Sequence, residues 1–226
     1  MKERPIIFSG PMVRAILDGR KTQTRRVVKP QPCDVGWGVN CEVHPYMTGT
    51  DWPLAYYERR RGVWNCSEPL KCPYGKPSDV LWVRETWLTY PHPITYKMMR
   101  EGADTWPMID GEPISYAADE DGQLLSLGWV KKPSIHMKRK HSRINLEVTD
   151  IRLERLQDMS DQDALDEGIV ETNDMFEVSF GKCVLKSDGA TALDAFRLLW
   201  NDINWKKHPW SSNPWVWVVS FKRIKP

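Results

Sequence analysis

Residues 214–221, close to the end of the chain, form an almost continuously apolar segment, and this segment limits the fold more than any other. It reads Pro-Trp-Val-Trp-Val-Val-Ser-Phe, so Ser220 is its one polar residue. A strand that faces water on one side alternates apolar and polar residues, whereas a strand covered on both sides is apolar throughout. The sequence therefore predicts a last β-strand that is buried on both faces.

Apolar periodicity predicts the other regular elements. A period of two indicates strands, and apolar residues three or four apart indicate helices. Strands are expected at residues 6–8, 80–87, 114–118 and 144–156, and helices at residues 11–18, 160–168 and 192–203. The apolar phase of the longest strand shifts near Asp150, which indicates a β-bulge there.

Residues 30–76 and 88–142 lack a lasting period and are interrupted by glycine and proline. We interpret them as two long irregular insertions, the second around the strand at residues 114–118. A chain of 226 residues with 41% hydrophobic content is long enough for one sizeable core. The expected architecture is one mainly β (α+β) domain over residues 1–226, with short helices.

The charge balance limits the classes of partner. With 32 basic and 30 acidic residues the net charge is +2, so nucleic-acid binding would come from a local patch and not from general attraction. The sequence has no apolar run long enough to span a bilayer and no secretory apolar segment after its first residues. We therefore expect a cytoplasmic protein without a membrane partner.

Four of the five cysteines lie in the first insertion or at its end. Cys33 and Cys41 are spaced C-x7-C, and Cys66 and Cys72 are spaced C-x5-C, with His44 nearby. Four sulfur or nitrogen ligands would suit a structural zinc ion, which could stabilise a loop without a core. The spacings are wider than those of familiar zinc knuckles, so ordinary thiols remain the alternative.

Residues 19–26 read Gly-Arg-Lys-Thr-Gln-Thr-Arg-Arg and combine four cations with two hydroxyl groups. Gly19 follows the helix at residues 11–18, where a left-handed cap is expected. In a regular strand Lys21 and Thr24 would point to opposite faces, so they can share a site only if the first residues are irregular. A solvated basic turn is the alternative interpretation.

The pattern Gly19-x-Lys21-x-x-Thr24-x-Arg26 resembles the signature of the ASCH family, small domains of the PUA-like superfamily that are associated with RNA. Residues 77–85, 144–156, 163–168 and 215–223 resemble later segments of that family, although Ser78 stands where its turn has glycine. These segments cover about half of the chain, and the rest resembles the insertions of longer, often prophage-encoded, members. The resemblance implies a PUA-like β-barrel, for which we expect five or six strands.

One enzyme type of the family is an amidohydrolase of N4-acetylcytidine with catalytic Lys, Thr and Glu residues and no required cofactor. By motif position the resemblance places these roles on Lys21, Thr24 and Glu167. Amide hydrolysis needs a nucleophile, a base and an acid for the leaving amine. Burial and the neighbouring arginines should lower the pKa of Lys21, which helps it to act as the base. The alternative function is a non-catalytic RNA-binding module or a ribonuclease of phage origin.

Contacts to RNA or a nucleoside substrate are expected from the cations of the motif, from a strand arginine and from the densest basic run, residues 131–143. These candidates are Arg20, Arg25, Arg26, Arg84, Lys138, Arg139 and Lys140. Such cations supply the sequence-independent part of nucleic-acid affinity. The alternative for the basic run is a solvated loop. For Arg84, an ion pair with Glu85 at the end of the strand is favoured over contact with a ligand.

The tryptophans should divide into two groups. Those in strands or on the helical stripe should be core, namely Trp82, Trp200, Trp215 and Trp217. Those in loops could stack on bases, namely Trp37, Trp52, Trp64, Trp106 and Trp210.

Overall fold

The computed structural model describes most of the chain outside the two insertions. With side chains it covers residues 1–29, 31, 71–90, 107–109, 111–119, 122–172, 175–176 and 191–224. The backbone alone is described for residues 57–60, 63–66, 177–178 and 182–185.

Strands are the dominant elements of the described chain. They are β1 (Glu3–Ile7), β2 (Gln23–Val27), β3 (Tyr57–Arg60), β4 (Val63–Cys66), β5 (Val80–Arg84), β6 (Trp87–Thr89), β7 (Met108–Ile109), β8 (Glu112–Tyr116), β9 (Val130–Lys132), β10 (Asn145–Arg155), β11 (Val170–Glu171), β12 (Met175–Val178), β13 (Lys182–Leu185) and β14 (Trp215–Ile224). The helices are α1 (Gly10–Leu17), α2 (Gln123–Ser126), α3 (Asp161–Asp166) and α4 (Ala192–Asn204). Short 3-10 turns lie at Ser134–His136, Arg139–His141, Leu156–Asp158 and Trp210–Ser212. The prediction of a mainly β chain with few helices is confirmed.

The central sheet has five strands in the order β1-β5-β10-β14-β2. β1 and β5 run parallel, and the other neighbours are antiparallel. β1 and β2 are the two edges, so the backbone pairing of the described strands does not close this sheet into a barrel. A side chain joins the edges instead, because Arg26 of β2 donates to the carbonyl oxygen of Ile7 in β1 at 2.6 Å.

Strand β14 lies inside the sheet and contributes to two cores. Trp217, Val219 and Phe221 belong to the core that also contains Val13 and Ile16 of α1. Val216 and Val218 belong to a second core, which contains residues of α3 and α4. The alternate side chains of a strand point to opposite faces, so both faces are apolar here. The prediction of a strand buried on both sides is confirmed.

Several local signals also appear where the sequence predicts them. The register of β10 against β14 shifts between Val148 and Asp150, as the apolar phase indicates. Gly19 has φ +76°, the left-handed conformation expected after α1. Ser160 caps α3 through a capping box with Asp163. These agreements fix the ends of the elements that carry the motif.

The interpretation of the second insertion as irregular is wrong for its described part. β6, β7, β8 and β9 form a four-stranded sheet in the order β7-β8-β6-β9. β8 overlaps the strand expected at residues 114–118, whereas β6, β7 and β9 have two or three residues, too short for a period to emerge from the sequence. In the first insertion the structure describes the hairpin β3–β4 and the approach to β5. No helix in the described ranges is long and apolar enough to cross a membrane.

Candidate active site

Lys21 is positioned by the turn that follows α1. The backbone N–H groups of Arg20 and Lys21 both donate to the carbonyl of Ala15, at 2.9 and 3.0 Å. Strand β2 begins only at Gln23, so Lys21 precedes the regular strand. The predicted irregularity between Lys21 and Thr24 is therefore confirmed.

The end of α3 packs directly on this turn. The N–H of Thr22 donates to the carbonyl of Asp166 at 2.9 Å. A Cβ atom on Gly168 would lie 3.2 Å from the Cβ of Ala15 and 3.3 Å from the Cβ of Lys21, and Gly168 has φ +97°. Glycine therefore permits both the backbone conformation and the close approach. This contact brings Glu167, the residue that follows α3, to Lys21.

Lys21 and Glu167 form a buried ion pair. The Nζ atom of Lys21 lies 2.5 Å from Oε2 of Glu167 and 2.8 Å from the Glu167 carbonyl oxygen. The side chains are 0% and 5% exposed. The pKa of Lys21 lies below its usual value: burial is the largest cause and lowers it, the Glu167 carboxylate raises it, and the charges of Arg26 and Arg25 lower it further. The direction expected from the sequence is confirmed, with desolvation as its largest cause.

Thr24 and Glu167 line one small cavity. Thr24 is 4% exposed, and the cavity has a volume of about 90 Å³. Its other walls come from α1, from β2 and from one face of α4, and are Met12, Arg25, Arg26, Val27, Phe196, Leu199, Trp200, Ile203 and Asn204. Oε1 of Glu167 has no hydrogen-bond partner among the described residues. Lys21 is not part of the cavity wall and meets the site through its contact with Glu167.

A wider cleft of about 650 Å³ adjoins this cavity. The two spaces share Arg26, Val27, Ile203 and Asn204 as wall residues. Ligand pockets generally measure about 300 to 1,000 Å³, so the wide cleft has the size of a ligand site and the inner cavity does not. The inner cavity suits a reacting group at the end of a ligand.

Arg25 is not exposed to a nucleic acid, contrary to the prediction from its motif position. Its guanidinium lies 2.7 Å from Glu154, 3.3 Å from Asp163 and 3.5 Å from Oε1 of Glu167. Gln23, on the same face of β2, donates to Asp163 at 2.9 Å. Arg25 therefore orients carboxylates inside the protein.

Sequence reasoning missed Gln23, Glu154 and Asp163 as parts of this network. One signal was available in the sequence: Gln23 and Arg25 are alternate polar residues in a segment that continues into the apolar Val27 and Val28. Alternate residues of a strand share a face, so these two polar side chains could be expected to lie together. Their partners lie 129 and 140 residues further along the chain, which no local pattern predicts.

The other cations of the motif differ from each other. Arg20 is exposed and pairs with Asp18 at 2.8 Å. Arg26 lies in the walls of both spaces, with its guanidinium 5.3 Å from the ring centre of Phe8. Of the three arginines, Arg26 is therefore the one whose position suits contact with a ligand.

The expected ion pair between Arg84 and Glu85 is wrong. Neighbouring residues of an extended chain point to opposite sides. Arg84 donates to the carbonyl oxygens of Met137, at 3.2 Å, and of Ile135. Glu85 accepts two hydrogen bonds from Arg143.

Half of the six Lys and Arg residues in the basic run pair with carboxylates from other elements. Arg139 pairs with Glu3 at 2.8 Å, and Lys140 pairs with Glu112. Lys138 is exposed in the same segment. A patch whose charges are paired attracts phosphate weakly, so this run is a poorer candidate than its composition indicates.

The tryptophans follow the prediction in part. Trp200, Trp215 and Trp217 are buried. Trp82 is only half-buried, which corrects its assignment to the core, and the Arg84 guanidinium lies 5.4 Å from its ring centre.

Most of the loop group cannot be compared with the structure. Trp37, Trp52 and Trp106 lie outside the described residues, and only the backbone of Trp64 is described. Trp210 is half-buried in a 3-10 turn. Trp205, which the sequence interpretation passed over, is 69% exposed and lines the wide cleft.

The proposed zinc ligands fall mainly outside the described residues. This holds for Cys33 and Cys41, and only the backbone of Cys66 is described. Cys72 is a free thiol, and burial raises its pKa to about 11. Among the described residues no group of three or more His, Cys, Asp or Glu side chains could hold a metal ion. The zinc site stays a prediction.

Comparison with known proteins found no matching family model, no similar curated protein and no similar solved structure. The assignment of a function therefore depends on the motif residues and on the geometry that surrounds them.

Proposed function

We propose that this protein hydrolyses the amide bond of an N4-acylated cytidine, with Lys21, Thr24 and Glu167 as its catalytic residues. One observation supports the proposal most strongly. The buried Lys21–Glu167 pair leaves one carboxylate oxygen without a hydrogen bond, and that carboxylate and Thr24 line the same cavity. The other contact of that oxygen is an ion pair with Arg25 at 3.5 Å. A buried polar atom without a hydrogen bond is unusual in a folded protein and calls for an explanation such as a ligand.

In the proposed first half-reaction, the Thr24 hydroxyl oxygen attacks the acyl carbonyl carbon. The hydroxyl proton passes to the neutral amine of Lys21. Because Lys21 lies outside the cavity wall, this transfer requires a bridging water. The bond from the acyl carbon to N4 then breaks, and N4 takes a proton from the Glu167 carboxyl group. Cytidine leaves, and the acyl group remains as an ester on Thr24.

Water completes the cycle in the second half-reaction. It attacks the ester carbonyl and gives a proton to the Glu167 carboxylate. The Thr24 oxygen leaves the acyl carbon and regains its proton from the Lys21 ammonium. The free carboxylic acid departs, and both groups return to their starting protonation.

The burial of the pair favours this division of roles. A charged lysine cannot accept the Thr24 proton, and an ionised glutamate cannot donate one to N4. Transfer of one proton from Lys21 to Glu167 across their 2.5 Å contact produces both competent forms at once. Burial penalises the charge of Lys21 and lowers its pKa, which favours the neutral amine that the first step needs.

The second candidate is a non-catalytic RNA-binding module or a ribonuclease of phage origin. Unpaired lysines around the wide cleft favour it, since phosphate contacts dominate nucleic-acid affinity. A salt series separates the two functions: RNA binding should weaken steeply with ionic strength, whereas hydrolysis of a neutral nucleoside should change little.

Hydrolysis of N4-acetylcytidine, followed as cytidine release by chromatography, tests the proposal. Thr24→Ala should lose at least about 100-fold in rate because the nucleophile is gone. Thr22→Ala is the matched control, since Thr22 is an exposed threonine two residues earlier, and it should keep the wild-type rate. Folded wild-type protein that releases no cytidine from N4-acetyl-, N4-propionyl- or N4-benzoylcytidine would rule the proposal out.

A further inference from the structure

We infer that the wide cleft binds a phosphate group, so that the natural ligand is a phosphorylated cytidine derivative and not the free nucleoside. The identity of the base rests on the proposed function, whereas the phosphate site rests on the cleft alone. The cleft has a volume of about 650 Å³, which lies within the range of about 300 to 1,000 Å³ that is usual for ligand sites, so a nucleotide can fit.

Four lysines from three separate segments line this cleft. Lys29 follows β2, Lys71 precedes β5, and Lys206 and Lys207 follow α4. All four are exposed, and their ammonium groups have no hydrogen bond or ion pair to any part of the chain that the structure describes. Asp202 is the one acidic residue among the described residues of the wall. The described part of the wall therefore carries a concentrated positive charge.

The dipole of α4 explains only part of this arrangement. Cations are favourable beside the carboxyl end of a helix, which accounts for Lys206 and Lys207 after α4. Lys29 and Lys71 belong to other segments, so a preference for cations just after α4 in the sequence does not account for their presence. Like charges that converge in a concave site repel each other and focus a positive potential. An anionic ligand in the cleft removes that cost.

The position of the cleft next to the inner cavity gives a nucleotide a defined orientation. Arg26, Val27, Ile203 and Asn204 are wall residues of both spaces. The acylated edge of a base would enter the inner cavity beside Thr24, while the sugar and phosphate remain among the lysines. Trp205, 69% exposed in the cleft wall, supplies an apolar surface against which a base or sugar could pack.

Isothermal titration calorimetry with cytidine and cytidine 5′-monophosphate tests this inference without any turnover. The monophosphate should bind at least tenfold more tightly than cytidine. The double variant Lys206→Ala/Lys207→Ala should lose most of that preference, and Lys29→Ala should lose part of it. Lys222→Ala is the matched control, because Lys222 is exposed on β14 and pairs with Glu147. It should keep the wild-type preference.

Three further results would decide the inference. Equal affinities of the wild-type protein for both compounds would overturn it, as would an unchanged preference in the double variant with native circular dichroism. A five-nucleotide RNA that binds through the same lysines and more tightly than the monophosphate would support the phosphate site and identify an RNA strand as its source. The proposed hydrolysis can fail while the monophosphate preference persists, so the two proposals fail separately.

Discussion

Two buried glutamates, Glu85 and Glu167, have different surroundings although they are 1% and 5% exposed. Both oxygens of Glu85 accept hydrogen bonds from Arg143, at 2.9 and 3.1 Å. Glu167 has one oxygen on Lys21, while the other lacks a hydrogen bond among the described residues and lies 3.5 Å from the Arg25 guanidinium. Arg143 also pairs with Asp119 and lies 3.9 Å from the ring centre of Tyr116.

The difference is the one expected between a structural carboxylate and the reactive one that the proposed hydrolysis requires. A buried ion pair whose hydrogen bonds are all satisfied holds elements together. Here it joins Glu85, the residue after β5, to Arg143, which lies just before β10. A buried carboxylate that faces a cavity, and one oxygen of which has an ion pair but no hydrogen bond, is compensated less completely for its lost hydration. Substrate binding would supply the missing partner at Glu167, whereas Glu85 needs none.

The largest expected effect is on catalysis at Glu167. Glu167→Gln keeps the shape and a hydrogen bond to Lys21 but cannot donate a proton to N4. The rate on N4-acetylcytidine should fall about 100- to 10,000-fold, the usual range for loss of a general acid. Glu85→Gln, assayed at a temperature where it is folded, should keep most of the rate. Comparable losses of rate in Glu167→Gln and Glu85→Gln would contradict a catalytic role that belongs to Glu167 and not to Glu85.

The next effect is on stability at Arg143. Arg143→Met leaves Glu85 buried without its cation, so the free energy of unfolding should fall by about 3 kcal/mol. Arg197→Met, which removes an exposed pair with Asp194 at 3.6 Å, should cost about 0 to 1 kcal/mol. Urea unfolding followed by circular dichroism measures both. A loss at Arg143 no larger than at Arg197 would contradict a structural role for this cluster.

The sequence predicts the backbone around the site better than the partners of its side chains. The left-handed Gly19, the late start of β2 and the β-bulge near Asp150 follow from local rules of backbone geometry and apolar phase. The burial of β14 follows from its own composition. These features depend on residues that are close together in the sequence, and each was predicted correctly.

The errors concern charges whose partners are distant in sequence. Arg25 is buried because carboxylates of β10 and α3 surround it, and Arg139 is paired because Glu3 of β1 lies beside it. A run of cations looks equally basic whether or not acidic side chains from other strands cover it. The predicted ion pair between Arg84 and Glu85 is wrong because neighbouring side chains in an extended segment point to opposite sides.

The smallest expected effect is the pH dependence of stability near pH 10, which should have opposite signs in the two regions. Burial lowers the pKa of Lys21 below its usual value. At pH values between the lowered pKa and the usual one, the unfolded chain binds more protons than the folded chain, so the contribution of Lys21 to stability rises with pH. Burial raises the pKa of Tyr116, beside Arg143, to about 12, so its contribution is lost as the pH rises from about 10 to 12.

Variants at these two positions measure the two contributions separately. Unfolding by urea between pH 8 and 11.5 should show the wild type gaining stability relative to Lys21→Met as the pH rises. Relative to Tyr116→Phe it should lose about 1 kcal/mol. If the stability difference from wild type changed with pH in the same direction for both variants, the contrast between the Lys21 and Tyr116 sites would be wrong.

The most direct test of the central claim is a double-mutant cycle on the hydrolysis of N4-acetylcytidine. We expect Lys21→Ala and Thr24→Ala to remove most of kcat/KM individually, with native circular dichroism. Residues that act as one catalytic unit give strongly non-additive losses, so the double variant should be at most a few-fold worse than either single variant. Losses that multiply in the double variant, or a Lys21→Ala protein with the wild-type rate, would contradict the account.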